Sequence, residues 1–431
     1  MLDPASRSSA LLTDRYELTM LRGALADGTA ARRCVFEVFA RRLPEGRRYG
    51  VVAGAGRLLD ALDSFRFGPA ELDALRAASV VDEPTLRWLA SYEFGGDIDG
   101  YAEGELYFAG SPVLSVSGSF AECVLLETLV LSVLNHDCAV ASAAARMVTA
   151  ADGRPLIEMG SRRTHEHAAV ASARAAYLAG FAATSNLEAG RTFGIPTTGT
   201  AAHAFTLVHS SEEEAFATQV ATLGPGTTLL VDTYDLTRGI EAAVRVAGPE
   251  LGAIRIDSGD LGVLARQARV QLDSLGATRT RILVSGDLDE YAIAGLRAEP
   301  VDGYGVGTSV VTGSGAPAAG MVYKLVEVDG RAVAKRSTLK ESRGGAKSAL
   351  RRHKPTGTAT EEVVFRVRDG APERGEHDRP LPIPLVRGGR RVDGLPSLTE
   401  SREHLRRVLV TVPWEGLALS KGEPVIPTTF V

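Results

Sequence analysis

Cysteine is nearly missing from this chain. Its 431 residues include three, Cys34, Cys123 and Cys138, far apart and without a CxxC pair. They form neither a disulfide framework nor a thiolate zinc site, and read as small buried apolar residues. A basic excess is also lacking. The formal net charge is −5, which gives no global case for nucleic-acid binding, so any phosphate chemistry must come from local clusters. No apolar run approaches the roughly 18 residues of a membrane span. The opening MLDPASRSSALLTDRYELTM lacks the basic-then-apolar order of a signal peptide. There is no GKS or GKT of a Walker loop, and no GxGxxG that opens a helix. The expectation is a cytoplasmic protein with neither nucleic acid nor membrane as partner.

What is present is ordinary globular composition, 45% hydrophobic and 23% charged with 46 glycines. The length suits two or three domains and a core large enough for a deep, desolvated site. The first 150 residues are mixed. LLTDRYELTMLRGAL has helical spacing, with Thr13 or Asp14 as its cap, and VFEVFARRL starts as a strand. AECVLLETLVLSVLNHDCAVASAAARMVTAA is a long helical tract.

From about Pro155 the texture changes. Seven short apolar runs recur, each ending in polar or glycine residues: PLIEMGSRR, AGFAATSN, IPTTGTAAH, TTLLVDTYD, AIRIDSGD, RILVSGD and VDGYGVGTS. Helical stretches separate several of them. Such alternation predicts a parallel α/β arrangement with strands buried on both faces. Seven units point to an irregular barrel over 151–320, with an open doubly wound sheet as the alternative. After Met321, MVYKLVEVDGRAVAKRS reads as a hairpin turning at Asp329-Gly330, and EEVVFRVRDG as a strand. PERGEHDRPLPIPLVRGGRRVDGL reads as a surface excursion, and TESREHLRRVLVTVP as a last helix. Residues 321–431 are expected to complete the 1–150 domain, giving a second α+β domain built from both ends of the chain.

In parallel α/β folds the chemistry sits at the carboxyl ends of the strands, and each run above ends there in polar residues. Gly303, Gly305, Gly307, Thr308 and Ser309 suit a phosphate seat, or else a tight glycine turn. The two SGD triplets, Ser258–Asp260 and Ser285–Asp287, offer carboxylates for ribose or magnesium, or else helix caps. Arg255, inside an apolar run, needs an anion, either a neighbouring acid or a ligand phosphate. Arg162 and Arg163 suit carboxylate or phosphate, or else form a pair at a helix start. His203 is either a nucleophile or a structural histidine. His165 and His167 have no partners at metal-ligand spacing and read as solvated or supporting. The basic stretch from Lys335 to Lys354 is either a solvated loop or an approach for pyrophosphate. Together the strand ends suit a phosphorylated sugar with a second anionic group.

GSRRTHEHAAVASARAAYLAGFAATSNLEAG, FGIPTTGTAAHAF, IRIDSGDLG, VSGDLDEY and GYGVGTSVVTG, with LLTDRYELTM at the start, resemble the nicotinate phosphoribosyltransferase family of the type II phosphoribosyltransferase superfamily. The resemblance runs from about residue 11 to 340. It implies transfer of phosphoribosyl from phosphoribosyl pyrophosphate to nicotinate, magnesium use, and ATP hydrolysis coupled through a phosphohistidine, in a cytoplasmic enzyme of NAD salvage. By motif, His203 would be phosphorylated, Arg162 and Arg255 would bind substrate anions, and Asp257 would hold the ribose or, with Asp287, the metal. Arg163, Ser185, Asn186, Thr200, Ser258, Gly259, Ser285, Gly286, Gly305, Gly307 and Thr308 would complete the substrate site. Tyr16 would stack on the pyridine ring from the second subunit of a homodimer. Met159 departs from the family, whose members often place an aromatic there. TSNLEAG lacks the aspartate expected of enzymes that take nicotinamide. The rival expectations are a sibling transferase for nicotinamide or quinolinate, and an inactive phosphosugar-binding protein.

Overall fold

The structure, a computed structural model, describes residues 8–335 and 343–431. Contacts divide the chain into two compact units, Met1–Ala139 with Ala318–Val431, and Val140–Pro317. The helix Glu127–Ala151 crosses the first boundary, which the sequence reading placed at its far end. Among the described residues it is the one helix long and apolar enough to cross a membrane. Its apolar window is 72% buried within the molecule, as in a core helix.

The middle unit holds a six-stranded, all-parallel sheet: β1 Leu156–Glu158, β2 Ala183–Thr184, β3 Thr228–Leu230, β4 Ala253–Ile256, β5 Arg281–Gly286 and β6 Gly303–Val306. The order is β2-β1-β6-β5-β4-β3. The apolar runs behave as double-sided burial requires: Leu229, Ile254, Ile256, Ile282, Val284 and Val306 are completely buried. The expected barrel is a curled half-barrel. IPTTGTAAH, the seventh predicted strand, contributes one bridge, Thr184 to Thr197, instead of a ladder. Pro196 has no N–H to donate and Pro196–Thr200 are exposed, so nothing holds an extended ladder there.

The two-ended unit is built on a seven-stranded antiparallel sheet. Its order is Arg331–Ala332, Met321–Val328, Arg33–Ala40, Leu114–Ser119, Asp97–Tyr101, Pro382–Arg387 and Arg390–Arg391. Asp329 and Gly330 take positive φ, 47° and 73°, as the predicted hairpin turn demands. Phe36 stacks on Tyr323 at 4.8 Å in the core. The predicted surface excursion is corrected, because Pro382–Arg387 pairs with Asp97–Tyr101 and buries Leu385 and Val386. Proline content hid a strand whose two prolines sit at its first residue, Pro382, and beside a register shift, Pro384.

The basic stretch is corrected as well. Lys347–His353 is a strand, and Lys347 pairs with Glu37 at 2.7 Å. Arg351 is 1% exposed, held by Glu105 at 2.5 Å and Glu362 at 2.6 Å. Arg336 and Lys340 lie outside the described residues. Glu105 also accepts from Arg379 at 2.5 Å and contacts His404 at 3.0 Å. Burial alone would raise the Glu105 carboxyl, but the Arg351 guanidinium and the His404 and Arg379 hydrogen bonds hold it far below the usual range. A depressed folded-state value means that this stabilisation is present above the ordinary glutamate range and is lost only as pH falls through the depressed value. Replacing Arg351 with Met leaves the buried Glu362 with no cation among the described residues and takes one of the cations from Glu105. The urea midpoint is expected to fall by the equivalent of about 3–5 kcal/mol, and an unchanged midpoint would refute this role.

Candidate active site

Parallel strands all end at one edge, and in the middle unit these ends surround a cavity of about 1100 Å³. Its lining includes Met159 to Arg163 (save Gly160) after β1, Ser185 after β2, Thr198–Ala202, Arg255 to Asp260 (save Ile256) along and after β4, Ser285–Leu288 at the end of β5, and Gly305, Gly307 and Thr308 at β6. The structure thereby brings together Arg162, Arg163, Ser185, Thr200, Arg255, Asp257, Ser258, Gly259, Ser285, Gly286, Asp287, Gly305, Gly307 and Thr308. Asn186 and His203 stand one hydrogen bond or ion pair behind this lining. Asn186 donates to Ser161 Oγ at 3.0 Å, and His203 Nε2 lies 3.9 Å from Asp257 Oδ2. Tyr16 belongs to the other unit, 45% exposed on the helix Arg15–Asp27, and is not part of this cavity.

Arg255 sits within β4 with its side chain 13% exposed. Nη1 donates to Thr200 Oγ1 at 2.8 Å, and Nη2 is 4.0 Å from Asp257 Oδ1. Nε is buried without a hydrogen-bond partner. Burial lowers the guanidinium's proton affinity, against the pull of Asp257 and Asp232. The strand arginine thus has one neutral partner, one distant acid, and capacity left for an anion.

The alternative readings separate at atomic detail. In the first SGD it is Asp260 that caps a helix, Leu261–Ser274, accepting from Val263 N–H at 3.1 Å. Asp257, just before the triplet, lines the cavity as Asp260 does. In the second triplet the cap of the helix Glu290–Gly295 is Asp289, which leaves Asp287 exposed at the rim. Gly286 has φ 134°, a backbone that L side chains rarely adopt. A Cβ on Gly305 would lie 2.7 Å from Met159 Sδ, so a larger residue there would displace the methionine side chain. Arg162 and Arg163 precede the helix Glu166–Ala179 by a loop and are exposed toward the cavity. His165 caps that helix, its ring accepting from His167 N–H at 3.3 Å.

Sequence reasoning passed over the residues that brace these groups. Asp232, just after β3, accepts from Asp257 N–H at 2.8 Å and from Ser258 Oγ at 2.9 Å. Next to it, Thr233 Oγ1 meets His203 Nδ1 at 3.1 Å. The only sequence signal for either was the polar strand ending DTYD. Burial, then Asp232 and Asp235, push the Glu212 carboxyl up to about 7. No group of three or more His, Cys, Asp or Glu side chains is placed to hold a metal among the described residues. Magnesium is usually held by one or two carboxylates plus substrate phosphates, and the rim carboxylates Asp257 and Asp287 fit that mode.

Residues 11–135 match the family model of the nicotinate phosphoribosyltransferase (NAPRTase) N-terminal domain. The chain is 65% identical over 437 residues to a nicotinate phosphoribosyltransferase of Mycobacterium tuberculosis, covering 100% of this chain and 96% of the relative. It is 31% identical over 493 residues to the human nicotinate phosphoribosyltransferase, covering 93% and 91%. The crystal structure of human nicotinic acid phosphoribosyltransferase superposes with a TM-score of 0.83 at 26% identity, covering 97% of each chain. A strand-end cleft of this composition, in a chain alike end to end with these proteins, makes it a member of the nicotinate phosphoribosyltransferase family.

Proposed function

We propose that the chain transfers phosphoribosyl from phosphoribosyl pyrophosphate to nicotinate, yielding nicotinate mononucleotide and pyrophosphate. The observation that carries this reading is the convergence of four guanidinium groups (Arg162, Arg163, Arg255 and Arg266), four carboxylates (Asp257, Asp260, Asp287 and Glu299) and a glycine-rich strand end on one cavity. A sugar with a phosphate at one end and a pyrophosphate at the other matches that charge pattern. Quinolinate, with two carboxylates, would need a denser basic pocket. TSNLEAG lacks the aspartate expected of enzymes that take the amide, and its one acid, Glu188, pairs with Arg191, which favours the acid nicotinate over nicotinamide.

The C1–oxygen bond to pyrophosphate breaks with its electron pair leaving on the oxygen, and the pyridine nitrogen's lone pair forms the new bond to C1. Positive charge builds on the ribose and negative charge on the leaving group. Arg255 and Arg162 stabilise the leaving group, and Asp257 holds the ribose or its metal. Magnesium, when bound, supplies charge neutralisation on the pyrophosphate. The nitrogen is already nucleophilic, so positioning contributes most of the rate. Ser285–Asp287 and Gly305–Thr308 seat the sugar phosphate. Met159, facing the cavity at Gly305, packs its thioether on the pyridine. Tyr16 from a second copy covers the other face in a homodimer with shared sites.

His203 couples ATP hydrolysis to capture of the sugar donor. Thr233 engages Nδ1, so Nε2, on the Asp257 side, is the nitrogen left to accept the phosphoryl group. ADP leaves, and hydrolysis of the phosphohistidine later restores the imidazole. The product is a pyridine mononucleotide, which puts the reaction in NAD salvage.

Mass identification of the product formed from nicotinate, phosphoribosyl pyrophosphate, ATP and magnesium tests the reading directly. Turnover of only nicotinamide or quinolinate would replace it with a sibling activity, and ligand binding without turnover would leave a phosphosugar-binding protein. His203→Ala is expected to abolish nicotinate-linked ATPase activity and ATP stimulation while retaining basal transfer; stimulation that survives would contradict the assigned role. Arg255→Ala is expected to weaken phosphoribosyl pyrophosphate binding by about 2–5 kcal/mol in calorimetry, the range for truncating one side of a buried charge pair. An unchanged binding constant would return Arg255 to a purely structural role.

A further inference from the structure

One buried carboxylate below the cleft has no part in the chemistry above. Glu158 is the last residue of β1, 1% exposed. No cation pairs with it among the described residues, and burial raises its carboxyl above the usual range against the hydrogen bonds it accepts. Both oxygens are engaged. Oε1 accepts the Gly160 N–H that begins the GSRR loop, and Oε2 accepts the Thr184 hydroxyl of β2 at 2.6 Å.

The bonds continue toward the cavity. Thr184 Oγ1 accepts from Asn186 N–H at 3.0 Å, and Asn186 Nδ2 donates to Ser161 Oγ at 3.0 Å. Ser185 N–H donates to the Glu158 carbonyl at 2.8 Å. A ring of side-chain bonds therefore closes between the loop after β1 and the loop after β2, and Ser161 and Ser185 on that ring line the cleft. The fit is tight: a Cβ on Gly160 would meet Glu158 Oε1 at 2.8 Å and Gly307 O at 3.0 Å. A position that served only the sheet core would be filled at lower cost by an aliphatic side chain, because an unpaired buried acid is expensive. Here its two acceptor oxygens are directed at the two loops.

We propose that Glu158 is a positioning residue that sets the spacing of the GSRR and TSN loops and thereby shapes the part of the cleft, beside Met159, that receives the pyridine. This rests on the transferase reading. Glu158 touches no substrate and acts through Gly160 and Thr184. Its acceptor geometry matters rather than its charge. A glutamine keeps an acceptor for Gly160 N–H and reverses the second bond, donating to Thr184 Oγ1, which can accept a second hydrogen bond, so the two loops stay tied without the charge.

The test is steady-state kinetics of the full chain, varying nicotinate at saturating phosphoribosyl pyrophosphate and the reverse, with urea midpoints measured alongside. Thr184→Val and Glu158→Leu are expected to raise KM for nicotinate by about tenfold, the worth of one buried hydrogen bond. KM for phosphoribosyl pyrophosphate is expected to rise by less than that for nicotinate, because Arg162 shares the braced loop while Arg255 and the sugar-phosphate seat lie on other strands, and Glu158→Gln keeps the nicotinate KM within about threefold of the parent. A merely structural role would reduce the folded fraction, lowering apparent kcat with both KM values unchanged; that result for Thr184→Val overturns the proposal. So does a Glu158→Gln variant with the kinetics expected of the Leu variant. Thr184→Val and Glu158→Gln decide the matter if Glu158→Leu fails to fold. If the parent turns over no pyridine, the transferase reading falls and this inference with it. An active parent beside an unaffected Thr184→Val removes this inference alone.

Discussion

The shared direction of six strands is the constraint on which the site depends. A parallel sheet sends every carboxyl end to the same edge, and double-sided burial forbids polar groups along most of each strand. Polar residues therefore gather just beyond the strands, as at Arg162, Ser185, Asp257, Asp287 and Thr308. Arg255 is the exception, one residue inside its strand. A guanidinium there is tolerated because Thr200 and Asp257 reach it, although only in part. The unpaired Nε keeps a demand for negative charge at the base of the cavity.

Bracing of the reacting groups comes from neighbours that do not touch substrate. Two consecutive residues after β3 restrain two different segments: Asp232 holds the turn at Asp257 and Ser258, and Thr233 holds the ring of His203. On the opposite side of the sheet order, Glu158 ties the loops after β1 and β2. Chemistry that depends on positioning needs such supports, since a displacement of about 1 Å costs far more than the bonds themselves are worth. Buried acids without cationic partners, Glu158 among them, are the energetic cost of that rigidity.

The Met159 and Gly305 pairing is a local departure with a visible fit. The thioether of Met159 lies against Gly305, and the absent side chain at 305 leaves room for it. A flexible, polarisable group can still cover an aromatic ring, with less shape restriction than a second ring would impose.

The strand–helix alternation, the polar strand ends and the hairpin at Asp329-Gly330 were legible from the sequence because each is a local pattern of period or turn chemistry. The polar residues that line the cleft were legible for the same reason: they follow directly on apolar runs. The chain order alone did not show that IPTTGTAAH contributes a single bridge, that Pro382–Arg387 is a paired strand, or that Arg351 is interior while Arg162 is exposed. Nor could it reveal Asp232, Thr233 and Glu158 as braces. Those outcomes depend on which distant groups meet: Asp232 lies 25 residues from Asp257, and Glu158 lies 26 from Thr184. Local periodicity determines what a segment can become, whereas burial and partner distance, which exist only once the chain has packed, decide which of its polar groups are satisfied.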